Sequence, residues 1–320
     1  MAPHRARRRR ARPSGRRTLL YAVVASAVLV GGTSAGTVYV RAQAHDGGGL
    51  VSSSSVAPGA SPTASEPTSG ETSVEPVTKP SVDRAALLAD AMGTVTVASG
   101  AKVSVAVLDL DSGESAAYGA GSFDTASIVK VDILAALLLQ AQDADRRLTA
   151  REKTYATAMI TNSDNASASA LWDVIGRAEG LDAANDRFGL KDTEGGDGAL
   201  WGLTRTTAAD QLTLLQQVFG DDSRLGDASR TYLQGLMGEI AADQRWGISA
   251  AADGSGWALK NGWLPRSTTG LWDVNSIGRI AADGHGYLVA ALSDGNSTKA
   301  HGISLVEAAA RAAVSAFSAT

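Results

Sequence analysis

Residues 125–140 read TASIVKVDILAALLLQ. Ser127 and Lys130 stand three apart at the head of an apolar, helix-like run, so both side chains fall on one face. A serine hydroxyl attacks a carbonyl only when a base takes its proton. Lysine is such a base when burial or a second cation lowers its pKa toward neutrality. Free N–H groups in a helix's first turn would also favour the negative charge that develops. The same two residues would equally make an N-capping serine and a surface lysine, and the pair alone does not decide.

Two further groups carry the same ambiguity. Ser163-Asp164-Asn165 lies in MITNSDNASASALW, just before a helical pattern. All three types are favoured helix caps. As chemistry, Ser163 would relay a proton and the Asn165 amide would hold a substrate carbonyl. Lys260-Asn261-Gly262 lies in GWALKNGWLP. Asn-Gly between alternating apolar residues is a strong hairpin signal. The other reading is a strand lining a cleft, offering a cation, a small polar donor and a closely approaching backbone. Pro265 suits the end of an edge strand.

Taken in order, Ser-x-x-Lys, Ser-Asp-Asn and Lys-x-Gly resemble the motifs of penicillin-recognising serine enzymes, the class A β-lactamase and DD-peptidase superfamily. The resemblance covers about residues 81–320. It implies that Ser127 is the acylated nucleophile, Lys130 its base partner and Ser163 a proton relay. It implies that Asn165 positions the substrate amide. Lys260 would steady a substrate carboxylate and lower neighbouring lysine pKa values, with Asn261, Gly262 and Trp263 on the substrate-binding strand. Backbone N–H groups of Ser127 and Trp263 would form the oxyanion hole, and Asp164 would be structural. The implied substrate is a β-lactam or a D-Ala-D-Ala-like cell-wall peptide, with no cofactor and no metal.

The sequence departs from that pattern in several places. Asn261 replaces the usual hydroxyl residue, so an amide would meet the substrate carboxylate. Trp263 is bulky where the family has a small residue. The interval from Ser127 to Ser163 is short, so a loop and strand walling the cleft are expected to be missing. No Glu-x-x-Leu-Asn precedes TRTTAADQL (204–212), the segment that resembles the family's after its deacylation loop. Glu194 or Asp197 would have to stand in for the glutamate that activates water. These departures leave a second reading open: a degenerate relative that binds cell-wall peptide or a partner protein without turnover.

Positioning these residues requires a particular set of elements. SVDRAALLADAM (81–92) predicts a first helix with Ser81 as N-cap. KVSVAVLDLDSGESAAYGA (102–120) predicts two strands around a turn at Asp111-Ser112-Gly113. Helical patterns then run to about residue 240, strands return in WALKNGWL, LWDVNSIGRIAA and YLVAALSDG, and a helix closes the chain over about 303–318. This order predicts an α+β fold of the β-lactamase/transpeptidase-like kind. One antiparallel sheet would be flanked by the terminal helices, with a mostly helical lobe as the second part. A cleft between the two is the natural ligand site. The tryptophans at 201, 246, 257, 263 and 272 read chiefly as core, with a sugar or peptide groove as the alternative.

The first 80 residues differ in composition. Residues 1–17 hold eight arginines and no acid, and 18–40 carry no charge. That span is long enough to cross a hydrocarbon core of about 30 Å, either as a membrane anchor or as a cleaved signal peptide. The arginines favour the cytoplasmic side, so the bulk of the chain is expected outside the cell membrane. Residues 41–80 are rich in Ser, Pro and Gly and predict a disordered stalk. Without the eight arginines, 21 basic residues face 33 acidic ones, a balance that argues against nucleic acid as a partner. The chain has no cysteine and no His-Cys spacing that would suit zinc.

Overall fold

Val103, Val105 and Val107 alternate along β1 (Lys102–Asp109) and enter one hydrophobic core, while Ala106 and Leu108 of the same strand enter another. The strand is buried on both faces because helices cover both sides of its sheet. The computed structural model describes residues 82–318. They all lie in the second of the two compact units into which the chain divides, Glu75–Thr320. The expected tail, apolar span and stalk lie outside the described residues. No described helix is long and apolar enough to cross a membrane.

The chain begins with α1 (Arg84–Met92), then β1, β2 (Ser115–Tyr118) and β3 (Phe123–Asp124). The helical lobe follows as α2 (Val129–Asp143), α3 (Ala150–Thr161), α4 (Asn165–Ile175) and α5 (Arg177–Phe188). A short β4 (Arg205–Thr206) leads into α6 (Ala208–Phe219) and α7 (Asp227–Gly238). The chain returns to the sheet with β5 (Trp257–Pro265), β6 (Trp272–Ala282) and β7 (His285–Asn296), and ends on α8 (Lys299–Ser318). The main sheet has the order β2-β1-β7-β6-β5 and every pairing is antiparallel. The terminal helices α1 and α8 share one core with the outer face of this sheet. The lobe packs on the other face around α2. This is the α+β architecture expected from the element order.

Two local expectations change. The cap of α1 is Asp83, whose carboxylate accepts from the Ala86 N–H at 3.0 Å, and not Ser81. The Asn261-Gly262 pair makes no turn. It lies inside β5, opposite Ser276 and Asn275 of β6, because nine consecutive pairings outweigh a local hairpin preference. Pro265 does end β5, which is the edge strand.

Helix α2 is buried nearly all round, as its apolar run demands. Two ionisable residues, Lys130 and Asp132, lie on it out of contact with water. Asp132 accepts from Gln211 Nε2 at 3.2 Å through one oxygen, and its other oxygen has no partner among the described residues. Burial raises its pKa from 3.8 to about 7, and the nearby Asp210 adds to the rise. A raised carboxyl pKa means that the stability it carries is complete below 3.8 and is lost as pH climbs to about 7. Asp132→Asn is therefore expected to lose less thermal stability between pH 5 and pH 8 than the wild type. Melting curves at both pH values check this, and parallel losses in the two proteins would refute it.

Candidate active site

The turn that carries Ser127 is held from two sides. Ala126–Ile128 forms a single 3-10 turn leading into α2. Behind it, Asn275 Nδ2 on β6 donates to the carbonyl oxygens of Asp124 and Thr125 at 2.9 and 3.0 Å. On the lobe side, the Thr125 N–H donates to the Thr204 carbonyl at 2.9 Å. The anchoring tolerates strain: Ala126 has a φ of 49°, which is costly for a residue with a Cβ. Ser163, with a φ of 55°, is the second strained residue at the site. Ser127 caps neither the 3-10 turn nor α2, so the capping reading of this serine does not hold.

Lys130 reaches four oxygens. Its Nζ lies 2.8 Å from Ser127 Oγ, 2.8 Å from the Ser163 carbonyl, 3.1 Å from Ser163 Oγ and 2.8 Å from Asn165 Oδ1. Burial lowers its pKa from 10.5 to about 7, against a raising effect of Asp164. At neutral pH the charged and neutral amine are thus close to equally populated. Asp164 caps α4 by accepting from the Ser167 N–H at 2.7 Å, so capping and chemistry are divided among adjacent residues of the Ser-Asp-Asn triplet.

Lys260 approaches from β5. Its Nζ donates to Ser163 Oγ at 3.1 Å and to the Asn261 carbonyl at 2.8 Å. Full burial, and then the charge of Lys130, push its pKa well down. Ser163 Oγ therefore stands between two amines, each 3.1 Å away. Gly262 lets β5 close on the Ser127 turn: a Cβ there would meet the Thr125 carbonyl at 2.7 Å and the Ser127 nitrogen at 2.8 Å.

Asn261 differs from its expected role. It is fully buried, and its Nδ2 donates to the carbonyls of Gln244 and Trp246 at 2.7 and 2.9 Å. With both amide hydrogens committed, it ties β5 to the segment before it and offers no donor to a substrate carboxylate. Trp263 does line the cleft, stacked under Lys299 with the ammonium 3.7 Å from the ring centre.

A cavity of 640 Å³ opens on Ser127 between the lobe and β5. Leu200, Trp201 and Leu203 form one wall, and Trp263, Leu264 and Pro265 the other. Asn165 also lines it, and Arg266, the one charged lining residue, is paired with Asp124 and Asp273. No carboxylate lines it among the described residues. Neither stand-in supplies one: Glu194 is exposed and bridges Arg205 through its backbone, and Asp197 is exposed outside the cavity. A larger groove of 880 Å³ beside α8 holds none of these residues, so chemistry and not size marks the site. Sequence reasoning missed Asn275 and Gln244, which hold the backbone and Asn261. It also read Trp201 as core, although the residue is half-buried and faces the cleft.

The sheet, the lobe and the cleft between them define a β-lactamase/transpeptidase-like fold. PBP-A superposes with a TM-score of 0.63 at 22% identity, over 73% of this chain and 97% of its own. A mutant of PBP-A, solved as an acyl-enzyme complex with penicillin G, gives 0.62 at 21% identity over 73% and 97%. A β-lactamase from Xanthomonas campestris pv. campestris gives 0.57 at 21% identity over 72% and 95%. A comparison with curated proteins found no match. The family model described as the β-lactamase enzyme family matches residues 87–155 and 145–317, and the chain belongs to that family.

The position of Asn261 yields a test of its role. Asn261→Ala leaves the buried Gln244 carbonyl without its donor, at roughly 1–3 kcal/mol, and frees the part-buried Trp246 carbonyl at less. The expected result is a lower denaturant midpoint with little change in any penicillin reaction of the folded fraction. A variant of unchanged stability but impaired reaction would return Asn261 to the substrate.

Proposed function

We propose that the protein is a serine acyl-transfer enzyme that forms an ester on Ser127 with β-lactams or D-Ala-D-Ala-like cell-wall peptides. The observation that carries this reading is the unbroken series Ser127 Oγ, Lys130 Nζ, Ser163 Oγ, Lys260 Nζ, with successive separations of 2.8, 3.1 and 3.1 Å. The acyl-enzyme formed by penicillin G on a PBP-A mutant supports the substrate class.

In this reading the neutral Lys130 amine takes the Ser127 proton as Oγ attacks the carbonyl carbon. The oxyanion is met by the N–H groups of Ser127 and Trp263, and the close approach of β5 at Gly262 supports that pairing. The amide C–N bond then breaks. Its nitrogen takes a proton from Ser163 Oγ, which is refilled by Lys130. Lys260 adds positive potential beside Ser163 and the incoming carboxylate, and Asn165 orients the substrate amide. Water finds no carboxylate base in the cleft, so the ester outlives its formation.

Export rests on the sequence: the arginines of residues 1–17 followed by the uncharged span 18–40 make the catalytic domain extracytoplasmic, tethered or released. Pelleting of the full-length protein with membranes from its producing cells would separate tethered from released.

Intact-mass analysis after incubation with penicillin G tests the chemistry. A lasting adduct is expected on the wild type and none on Ser127→Ala. Penicillin left intact by an unmodified wild type would favour a binding protein without turnover. The acylation rate is also expected to rise through a midpoint near pH 7, because only the neutral form of Lys130 accepts the proton. A rate independent of pH from 5.5 to 8.5 would remove Lys130 from that role.

A further inference from the structure

The indole of Trp201 lies over the amine of Lys130, with Nζ 4.8 Å from the ring centre. The ring is fixed in place. Its Nε1 donates to Ser169 Oγ on α4 at 3.1 Å. The backbone on either side is tied down as well: Trp172 Nε1 donates to the Gly198 carbonyl at 2.8 Å, and the Gly196 N–H donates to Thr204 Oγ1 at 3.1 Å. Thr204 in turn receives the N–H of Thr125, two residues before the nucleophile. The segment from Gly196 to Thr204 is therefore tied both to α4 and to the Ser127 turn, and the ring with it.

This position matters after acylation. Lys130 has by then passed its proton toward the leaving group and is the free base nearest the ester. For hydrolysis, a water oxygen must bond to the ester carbon while Lys130 takes one of its protons. The C–O bond to Ser127 then breaks and the proton returns to Oγ. A water so placed needs contact with Nζ from the cleft side, where the indole lies.

We propose that Trp201 is a positioning residue that screens Lys130 from water and thereby sets the lifetime of the acyl-enzyme. The inference deepens the acyl-transfer reading and rests on it. The absence of any carboxylate in the cleft wall agrees with it, since the ring then excludes the remaining base for water.

The test compares the full-length wild type with Trp201→Phe, Trp201→Ala and Ser169→Ala, using penicillin G and intact-mass analysis. Trp201→Phe and Ser169→Ala are expected to acylate within about threefold of wild type, whereas Trp201→Ala acylates more slowly at pH 7, because a wetted Lys130 is more fully protonated, and its adduct decays about tenfold faster than wild type. Trp201→Phe is expected to retain a long lifetime, and Ser169→Ala, which frees the indole N–H, to fall between. A second readout needs no acylation: carbamoylation of Lys130 by cyanate, followed by peptide mass, is expected to be several-fold faster in Trp201→Ala. Equal lifetimes with equal cyanate labelling overturn the screen. So does a collapse of acylation that Trp201→Phe fails to rescue, which would make the ring a substrate contact. An unmodified wild type that leaves penicillin intact sinks the acyl-enzyme reading and the lifetime claim with it. Unchanged labelling of Lys130 in an otherwise acylating series sinks the screen alone.

Discussion

The Lys130 amine gathers oxygens from two sequence segments: the 3-10 turn ahead of its helix, and the stretch that runs from the strained residue Ser163 to the first residue of α4. A buried ammonium costs several kcal/mol unless its protons are met by acceptors. The chain meets them without supplying a carboxylate at hydrogen-bond distance. Asp164, whose charge reaches the amine, caps α4 through one oxygen and makes no hydrogen bond to the amine. That choice keeps the amine near its neutral point. A directly paired lysine would be held positive and useless as a base.

The rest of the site follows from keeping that amine dry and in register. Helix α2 is apolar all round because it runs through the middle of the lobe, and this carries its first-turn lysine inside with it. The second lysine arrives from the edge of the sheet, and among the described residues Ser163 is the group both amines share. Its backbone is held in a conformation that few serines adopt, a cost accepted where neighbouring contacts over-determine the geometry. Ala126 accepts the same cost on the other side of the nucleophile.

Spacing made part of this legible. Three residues of separation at a helix start predicts the contact between Ser127 and Lys130, and the alternation of Val103, Val105 and Val107 predicts a strand. Choosing the strand over the hairpin at Asn261-Gly262 needed the partner β6, the next strand of the chain, whose turn lies after Pro265 and not at Asn261-Gly262. Side-chain direction was less accessible. Asn261 differs from a substrate-facing residue only by the presence of two carbonyls, from Gln244 and Trp246, that no local pattern announces. Trp201 was hidden for another reason. It lies between Gly198 and Gly202 in a segment without period, so nothing in its surroundings distinguishes a core residue from a cleft wall. Asp132 could be read as buried from its apolar neighbours, but its lack of a second partner depends on how Gln211 of α6 is turned.

The sheet joins early and late segments of the described residues. β1 pairs with β7, so Lys102 finds its partner in Asp294 and Asp109 in Tyr287, and the whole lobe lies between them in sequence. A nascent chain emerging from its N-terminus can form the helices of the lobe from local contacts, but it cannot close the sheet until almost its last strand is out. Long-range pairing of this kind is slow, because a large loop must be ordered before any contact repays it. β5, whose Lys260 completes the series of polar groups, also belongs to that late part. The polar series is therefore assembled only at the end of folding, and a chain cut short before residue 287 would hold Ser127 and Lys130 without β7, on which the central sheet closes.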